Sequence, residues 1–559
     1  MSISKSQTEK IGSIFNGNKF VIPTYQRKYS WTEIERKALW IDVEESIQND
    51  MNHFIGTLSF KQNEAEGLTV DTIYEIIDGQ QRITTLFILL NVLIERIESE
   101  EIRNDQFIAF IGTKGNLKLK PLGIDGEFLS EVLFKFDTID QKSIVKRSHK
   151  FMYDAKKEFK AYSNLLSEYE IEKRIKFIRD RIEVLVFNVE GQAQAVKMFS
   201  IINDRGLPLR ILDKTKSILM LYSTLHLNEQ LNKYINDQFE VIFDSYDDIL
   251  VLKEELNILG RFEENTIFTH HYYSARKFFP ETWNNRNSAD TIFENLKDHC
   301  EGLKLKKSEL ESFIKGYLSD FSEFSKSYCE LLKNVKSSTE KQQIFCKLEF
   351  TATLYPIIVR LLMQNKLDLA LSFLETVEVR VYKTRGTNPI ADAYWFASQL
   401  SEKDYSINEV QDALKNIVEK FMSDHVFRNY LDADIYGNGA VKYILAEYEG
   451  GNISLQKYST LQIEHIFSSE PEFEVGSFEF EEDYGYEKNR FGNLILLEEK
   501  INKSIGNFAP INKVNGYLQS EIESTRNMAG IIQYGDFKKQ DVDLRRNKLI
   551  EFCLSRFVI

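Results

Sequence analysis

Two short stretches in the last hundred residues hold side chains whose types could together hydrolyse a phosphodiester. LQIEHIF (Leu461–Phe467) sets Glu464 beside His465 on a strand-like run, and FGNLILLEEKIN sets Asn493 at the head of a second strand and Asn502 on the helix after it. Hydrolysis needs an activated water and relief of charge on the departing oxygen. A neutral imidazole, with a reference pKa of about 6.5, takes a proton from water at neutral pH. Oxygen donors such as Glu464 and Asn502 suit Mg²⁺ or Mn²⁺, which would offset charge on the phosphorane. Asn493 would brace the loop that orients His465. His465 taken alone reads as a satisfied core histidine; the joint Glu-His, Asn-Leu and helical Asn pattern favours a nucleolytic site.

A second polar constellation lies near the other end. IIDGQQRITTL (Ile76–Leu86) runs strand, turn and helix start, and Gly79 permits the tight turn. Free backbone N–H groups at a helix start favour an anion, and Arg82 adds a charge-assisted donor. PTYQRKYSW brings Tyr25, Gln26, Arg27 and Lys28, and the turn NDRG brings Asn203, Asp204 and Arg205. A phosphate or nucleotide pocket built from Asp78, Gly79, Gln80, Gln81 and Arg82 is one reading; a capped helix with solvated charges is the other. There is no GxxxxGK[ST] loop.

The elements that must carry these residues follow from periodicity. Val21–Trp31 reads as extended, His53–Phe60 and Tyr74–Ile77 as strands, and Ile83, Leu86, Phe87, Leu90 and Ile94 as one face of a helix. From about 145 to 440 the pattern is mainly helical, broken at INDRGLPL (Ile202–Leu209), GTNP (Gly386–Pro389) and YGNG (Tyr436–Gly439). Arg380, Lys383 and Arg385 stand close together in VEVRVYKTRG, as a DNA contact or a solvated helix face. Past Tyr458, strand-like runs, an acidic loop and a helix make a compact terminal domain.

The chain is too long, at 559 residues, for one core. Its net charge of -14 excludes a broadly basic DNA wrapper but allows a local basic groove. Four cysteines without a CxxC pair read as buried apolar residues. No signal-peptide core or membrane-length apolar run is present, so the expectation is a cytoplasmic protein without a membrane partner.

IPTYQRKYSW, FIGTLSF, IIDGQQRITTL and FSIINDRGLPLRILDKTKS resemble the DGQQR domain, a ParB-like domain of modification-dependent restriction systems. IEHIFSSE and RFGNLILLEEKINKSIGN, with Lys513, Tyr517 and Ser520 downstream, resemble the HNH domain that accompanies it. Together they resemble a single-chain GmrSD-type (Type IV) restriction enzyme. The resemblance implies an N-terminal domain that binds and hydrolyses a nucleoside triphosphate and governs a C-terminal nuclease acting on modified phage DNA. It makes His465 the catalytic histidine, Asn493 and Asn502 its partners, and Lys513 a phosphate contact. Ser468 stands where the family has Pro, which would stiffen the exit from the catalytic strand. Glu498 and Ile501 stand where many HNH domains carry zinc-knuckle cysteines, so structural zinc is not expected.

The reading is an α+β, helix-dominated protein with a ParB-like DGQQR domain (1–220), a helical connector (221–440) and an HNH, or ββα-metal, domain (441–559). Its expected function is nucleotide-regulated cleavage of modified foreign double-stranded DNA. The oligomeric state stays open, a homo-oligomer included. Two rivals are a nucleotide-dependent DNA-binding switch with a degenerate nuclease domain, and a nuclease toxin.

Overall fold

The structure is a computed structural model and describes residues 7–15, 18–23, 26–62, 72–144, 146–188, 210–258, 262–451, 453–534 and 537–559. The fold is α+β and helix-dominated. By contacts within the chain it divides into two compact units: Met1–Val251 with Ala289–Lys326, and Leu252–Ser288 with Ser327–Ile559.

The first unit is built on a six-stranded mixed sheet. Its strands are β1 (Gln7–Lys10), β2 (Asn18–Ile22), β3 (His53–Gln62), β4 (Thr72–Asp78), β7 (Leu119–Pro121) and β8 (Ile182–Asn188). A two-residue pair, β5 (Gly112–Thr113) and β6 (Asn116–Leu117), stands apart. The order is β1-β8-β3-β4-β2-β7, antiparallel at β1/β8 and β3/β4 and parallel elsewhere. The helix after β4, Gln80–Glu95, is buried along its whole length from Ile83 to Ile94. Periodicity predicted one apolar face there; Thr84, Thr85 and Asn91 on the other faces are buried as well. Thr85 is accommodated by hydrogen bonds to Tyr29 and to the Gln81 carbonyl, and Asn91 by Lys156.

Gly79 joins β4 to this helix with φ of +94°, where a side chain would be strained, and a Cβ there would stand 2.2 Å from a Leu58 methyl. The turn therefore needs glycine on two counts.

The second unit is mostly helical and carries an antiparallel hairpin, β9 (Leu461–His465) with β10 (Leu494–Glu498). The helix Glu499–Ile505 follows directly. The run containing Arg380, Lys383 and Arg385 divides by exposure. It is a π-helical stretch, Glu378–Thr384, with Arg380 buried against Asp424 at 2.7 Å and stacked on Phe427. Lys383 faces the buried Glu378, and Arg385 donates to the Phe421 carbonyl. Arg380 thus belongs to the interior and Lys383 is half-buried, while Arg385 is exposed.

Cys300, Cys329 and Cys553 are buried free thiols, and Cys346 is half-buried. Among the described residues no helix is long and apolar enough to cross a membrane.

His270 shows what burial does to a titratable side chain in the second unit. Its Nδ1 lies 3.0 Å from the Tyr328 hydroxyl, and burial lowers its pKa to about 3. The unfolded chain binds a proton at this histidine from about pH 6.5 downward, while the folded chain does not, so stability is lost as pH falls. Between pH 7.5 and pH 5 this one group should cost about 2 kcal/mol. Urea unfolding of His270→Phe at both pH values should show a pH-dependent loss smaller than the wild type's by that amount.

Candidate active site

The strand β9 fixes the directions of the two residues at its end. Side chains alternate across a strand, and β10 pairs Ile495 with Glu464 and Leu494 with His465. Ile495 belongs to a cluster with Leu497, Val514 and Tyr517, so Glu464 faces the interior of the terminal module. His465 faces the opposite way.

On the inner face, Lys513 Nζ donates to Glu464 Oε1 at 2.6 Å and to the His465 carbonyl at 2.8 Å. The Tyr517 hydroxyl donates to the same Oε1 at 3.0 Å. All three side chains are buried. Burial pushes the Glu464 carboxyl up and the Lys513 ammonium down, each opposed by the other's charge. Lys513 was expected at a phosphate; it is only 1% exposed and instead holds the back of the His465 strand.

Beyond His465 the chain is held by Asn493. Its Oδ1 accepts from the Phe467 N–H at 2.8 Å, and its Nδ2 donates to the carbonyls of Phe467 (2.9 Å) and Lys488 (2.7 Å). Lys488 Nζ donates to the Ser469 carbonyl, and the Tyr484 hydroxyl to that of Ser468. The exit that lacks a proline is thus tied at three successive carbonyls.

His465 itself is largely buried. Its Nε2 lies 3.1 Å from Asn489 Oδ1, and Asn489 Nδ2 donates to Asp434 Oδ2 at 2.9 Å. The Tyr436 ring packs on the imidazole with centroids 4.2 Å apart. Burial lowers the His465 pKa to about 4, so the ring is neutral at pH 7 and able to accept a proton. Asp434, Tyr436 and Asn489 did not emerge from the sequence. They sit in loops with no periodicity, and their one cue was the turn-forming YGNG beside Tyr436.

Asn502 Nδ2 donates to Gln462 Oε1 at 2.9 Å, while Glu464 is held by Lys513 and Tyr517. As arranged, Glu464 and Asn502 do not converge on one point as a cation pair, and no group of three His, Cys, Asp or Glu side chains among the described residues could hold a metal ion.

The first unit holds a cavity of about 240 Å³ at the strand–helix turn. Gln26, Arg27, Lys28, Gln80 and Gln81 line it, with Lys146, Asp125 and Asp244 opposite. Gln81 staples the 28–30 segment, its Oε1 accepting from the Ser30 N–H and its Nε2 donating to the Lys28 carbonyl. Gln26 donates to the Ile77 carbonyl, Arg27 pairs with Asp213 and Lys28 with Asp244. Arg82 is not among the lining residues. Its Nη1 donates to the Ile55 carbonyl at 2.9 Å and its Nη2 lies 3.4 Å from Asp78, tying β3 to the helix start. Burial raises the Asp78 carboxyl, against the pull of Arg82. Tyr25, Asn203, Asp204 and Arg205 lie outside the described residues.

Two family models match these two regions. Residues 11–220 match the GmrSD restriction endonuclease N-terminal domain, and residues 418–552 match the GmrSD restriction endonuclease C-terminal domain. The chain belongs to the GmrSD restriction endonucleases. GmrSD membership makes it a DNA endonuclease and DNA its partner. The C-terminal GmrSD match contains every residue named around His465, Asp434 and Asn489 included. No curated protein matches the chain.

The inner ion pair gives a stability test. Lys513→Met leaves the Glu464 carboxyl buried without a cation, which should destabilise the unit by about 3–5 kcal/mol. Glu464→Gln combined with Lys513→Met should recover a large part of that, because no charge is then left uncompensated. Chemical unfolding of both variants checks the order.

Proposed function

We propose that this GmrSD protein cuts modified foreign double-stranded DNA at His465, under the control of a nucleoside triphosphate bound in the first unit. The observation that carries the cutting step is the neutral imidazole of His465, held at the end of β9 by Lys513 behind it and Asn493 after it. His465 takes a proton from water as the water oxygen bonds to phosphorus. The bond from phosphorus to the leaving sugar oxygen breaks, and that oxygen takes a proton from solvent.

A requirement for Mg²⁺ or Mn²⁺ belongs to the proposal through the charge that develops on phosphorus and through the sequence pattern, and chelation tests it. The nucleotide reading is supported by the 240 Å³ cavity, which joins Lys28, Lys146 and the Gln80 amide at the start of the helix Gln80–Glu95. Hydrolysis of the nucleotide and restriction of phage DNA are parts of the same proposal, with 1–220, 221–440 and 441–559 as its working division. The rival DNA-binding switch with a degenerate nuclease is disfavoured, because His465 and its supports are in place.

His465→Ala should abolish cleavage of modified DNA while leaving DNA binding and thermal stability close to wild type. Cleavage by that variant in a preparation free of other nucleases would remove the assignment. Lys146→Ala should weaken nucleotide binding by about tenfold or more, through loss of a charge-assisted contact. Calorimetric titration with each of the four ribonucleoside triphosphates reads this, and unchanged affinity for all of them places the nucleotide elsewhere.

A further inference from the structure

The loop residues beside His465 fix more than its position. An aspartate carboxylate accepts hydrogen bonds and donates none, whereas an asparagine amide has one accepting oxygen and one donating nitrogen. Asp434 Oδ2 lies 2.9 Å from the Asn489 amide, so the nitrogen, Nδ2, must be the atom that faces it. The amide oxygen is then turned to His465, 3.1 Å from Nε2. An oxygen can only accept, so Nε2 carries the ring proton. A neutral imidazole has one N–H, and the free lone pair is left on Nδ1.

The backbone around Asp434 and Asn489 keeps this chain of polarity in register. Asp434 forms an antiparallel bridge with Arg490. The Ile435 N–H donates to the Asn489 carbonyl at 3.2 Å. Arg490 clamps the same junction, with Nε donating to the Asp432 carbonyl at 3.2 Å and Nη1 pairing with Glu487 at 3.1 Å. Tyr436, two residues after Asp434, covers the imidazole face. One short segment therefore supplies both the polar anchor and the apolar wall.

We propose that Asp434 and Asn489 are positioning residues that hold His465 in the Nε2-protonated tautomer and so make Nδ1 the atom that accepts the proton from water. The assignment rests on the reading of His465 as general base. It gives the loop Ala433–Gly439, which carries no recognised motif half, a defined part in the reaction. Asp434 acts only through Asn489: without the carboxylate the amide is free to turn over, present Nδ2 to the ring and favour the opposite tautomer.

The experiment is a charge-swap cycle read by single-turnover cleavage of modified DNA. Asn489→Leu should lower the cleavage rate about a hundredfold with DNA affinity unchanged, since a mis-set catalytic group costs on that order. Asn489→Asp sets two carboxylates face to face and should be similarly slow. Asp434→Asn with Asn489→Asp restores the pattern in reverse: the new amide donates to the new carboxylate, whose second oxygen accepts from Nε2. That double variant should regain most of the wild-type rate, which a purely structural role of the pair does not predict. Nitrogen-15 spectra of histidine-labelled protein should report His465 protonated at Nε2 in the wild type. Wild-type cleavage by Asn489→Leu, no recovery in a folded double variant, or a ring protonated at Nδ1 would each overturn the proposal. If His465→Ala still cuts, it is the general-base reading that fails, and the ring's tautomer is then decided by the spectra alone.

Discussion

The ammonium of Lys513 is the point on which the terminal module turns. A buried lysine and a buried glutamate are each costly alone, and the pair persists because the remaining valences are filled by Tyr517 and by the carbonyl of His465. That last bond matters most. It couples the charge compensation of the core to the backbone of His465. The alternation of β9 then does the rest: what is secured on the inner face sets the direction of the imidazole on the outer face.

The division of labour in the first unit is similar. Gln81, Gln26 and Arg82 each spend their polar atoms on backbone carbonyls or on neighbouring strands. They shape the cavity at the strand–helix turn, where Lys28 and Lys146 stand with Asp125, Glu240 and Asp244. The motif Asp78–Arg82 is thus largely a scaffold for a pocket whose other wall comes from Asp125, Lys146 and Asp244.

Local pattern carried much of this into view. The alternation in His53–Phe60 and the apolar run Leu494–Leu497 are properties of single segments, and both became strands where expected. Glu464, His465 and Asn493 were legible for the same reason: their types and spacing lie within two short windows. Partnerships between distant segments were not. The carboxyl of Glu464 meets a lysine 49 residues later, and an ammonium aimed at an interior carboxylate looks, in sequence, like one aimed at DNA. The same ambiguity hid Arg82, whose guanidinium serves a strand more than twenty residues earlier, and Arg380, which serves Asp424. The order of the six-stranded sheet is set by pairings such as β1 with β8, which no local pattern encodes. Asp434 and Asn489 are 55 residues apart in sequence, so their polarity chain exists only once the loops are folded together.

The hairpin also leans on the helix Lys539–Arg556, which packs on Phe491–Asn493. A Cβ at Gly492 would stand 1.9 Å from the Val542 carbonyl, so the helix backbone occupies the space that any larger residue would need. Arg545, half-buried and with its pKa lowered by desolvation to about 10, donates to the carbonyls of Phe491, Gly492 and Leu494. Synthesis runs from β9 and β10 toward this helix, so a ribosome makes every residue of the hairpin before it makes the part that clamps the segment around Asn493. A chain stalled or cleaved before Lys539 carries His465 but not the clamp. The order of synthesis thus sets the hairpin and its clamp apart in time, and the strand carrying His465 gains its full support only after the helix Lys539–Arg556 has been made.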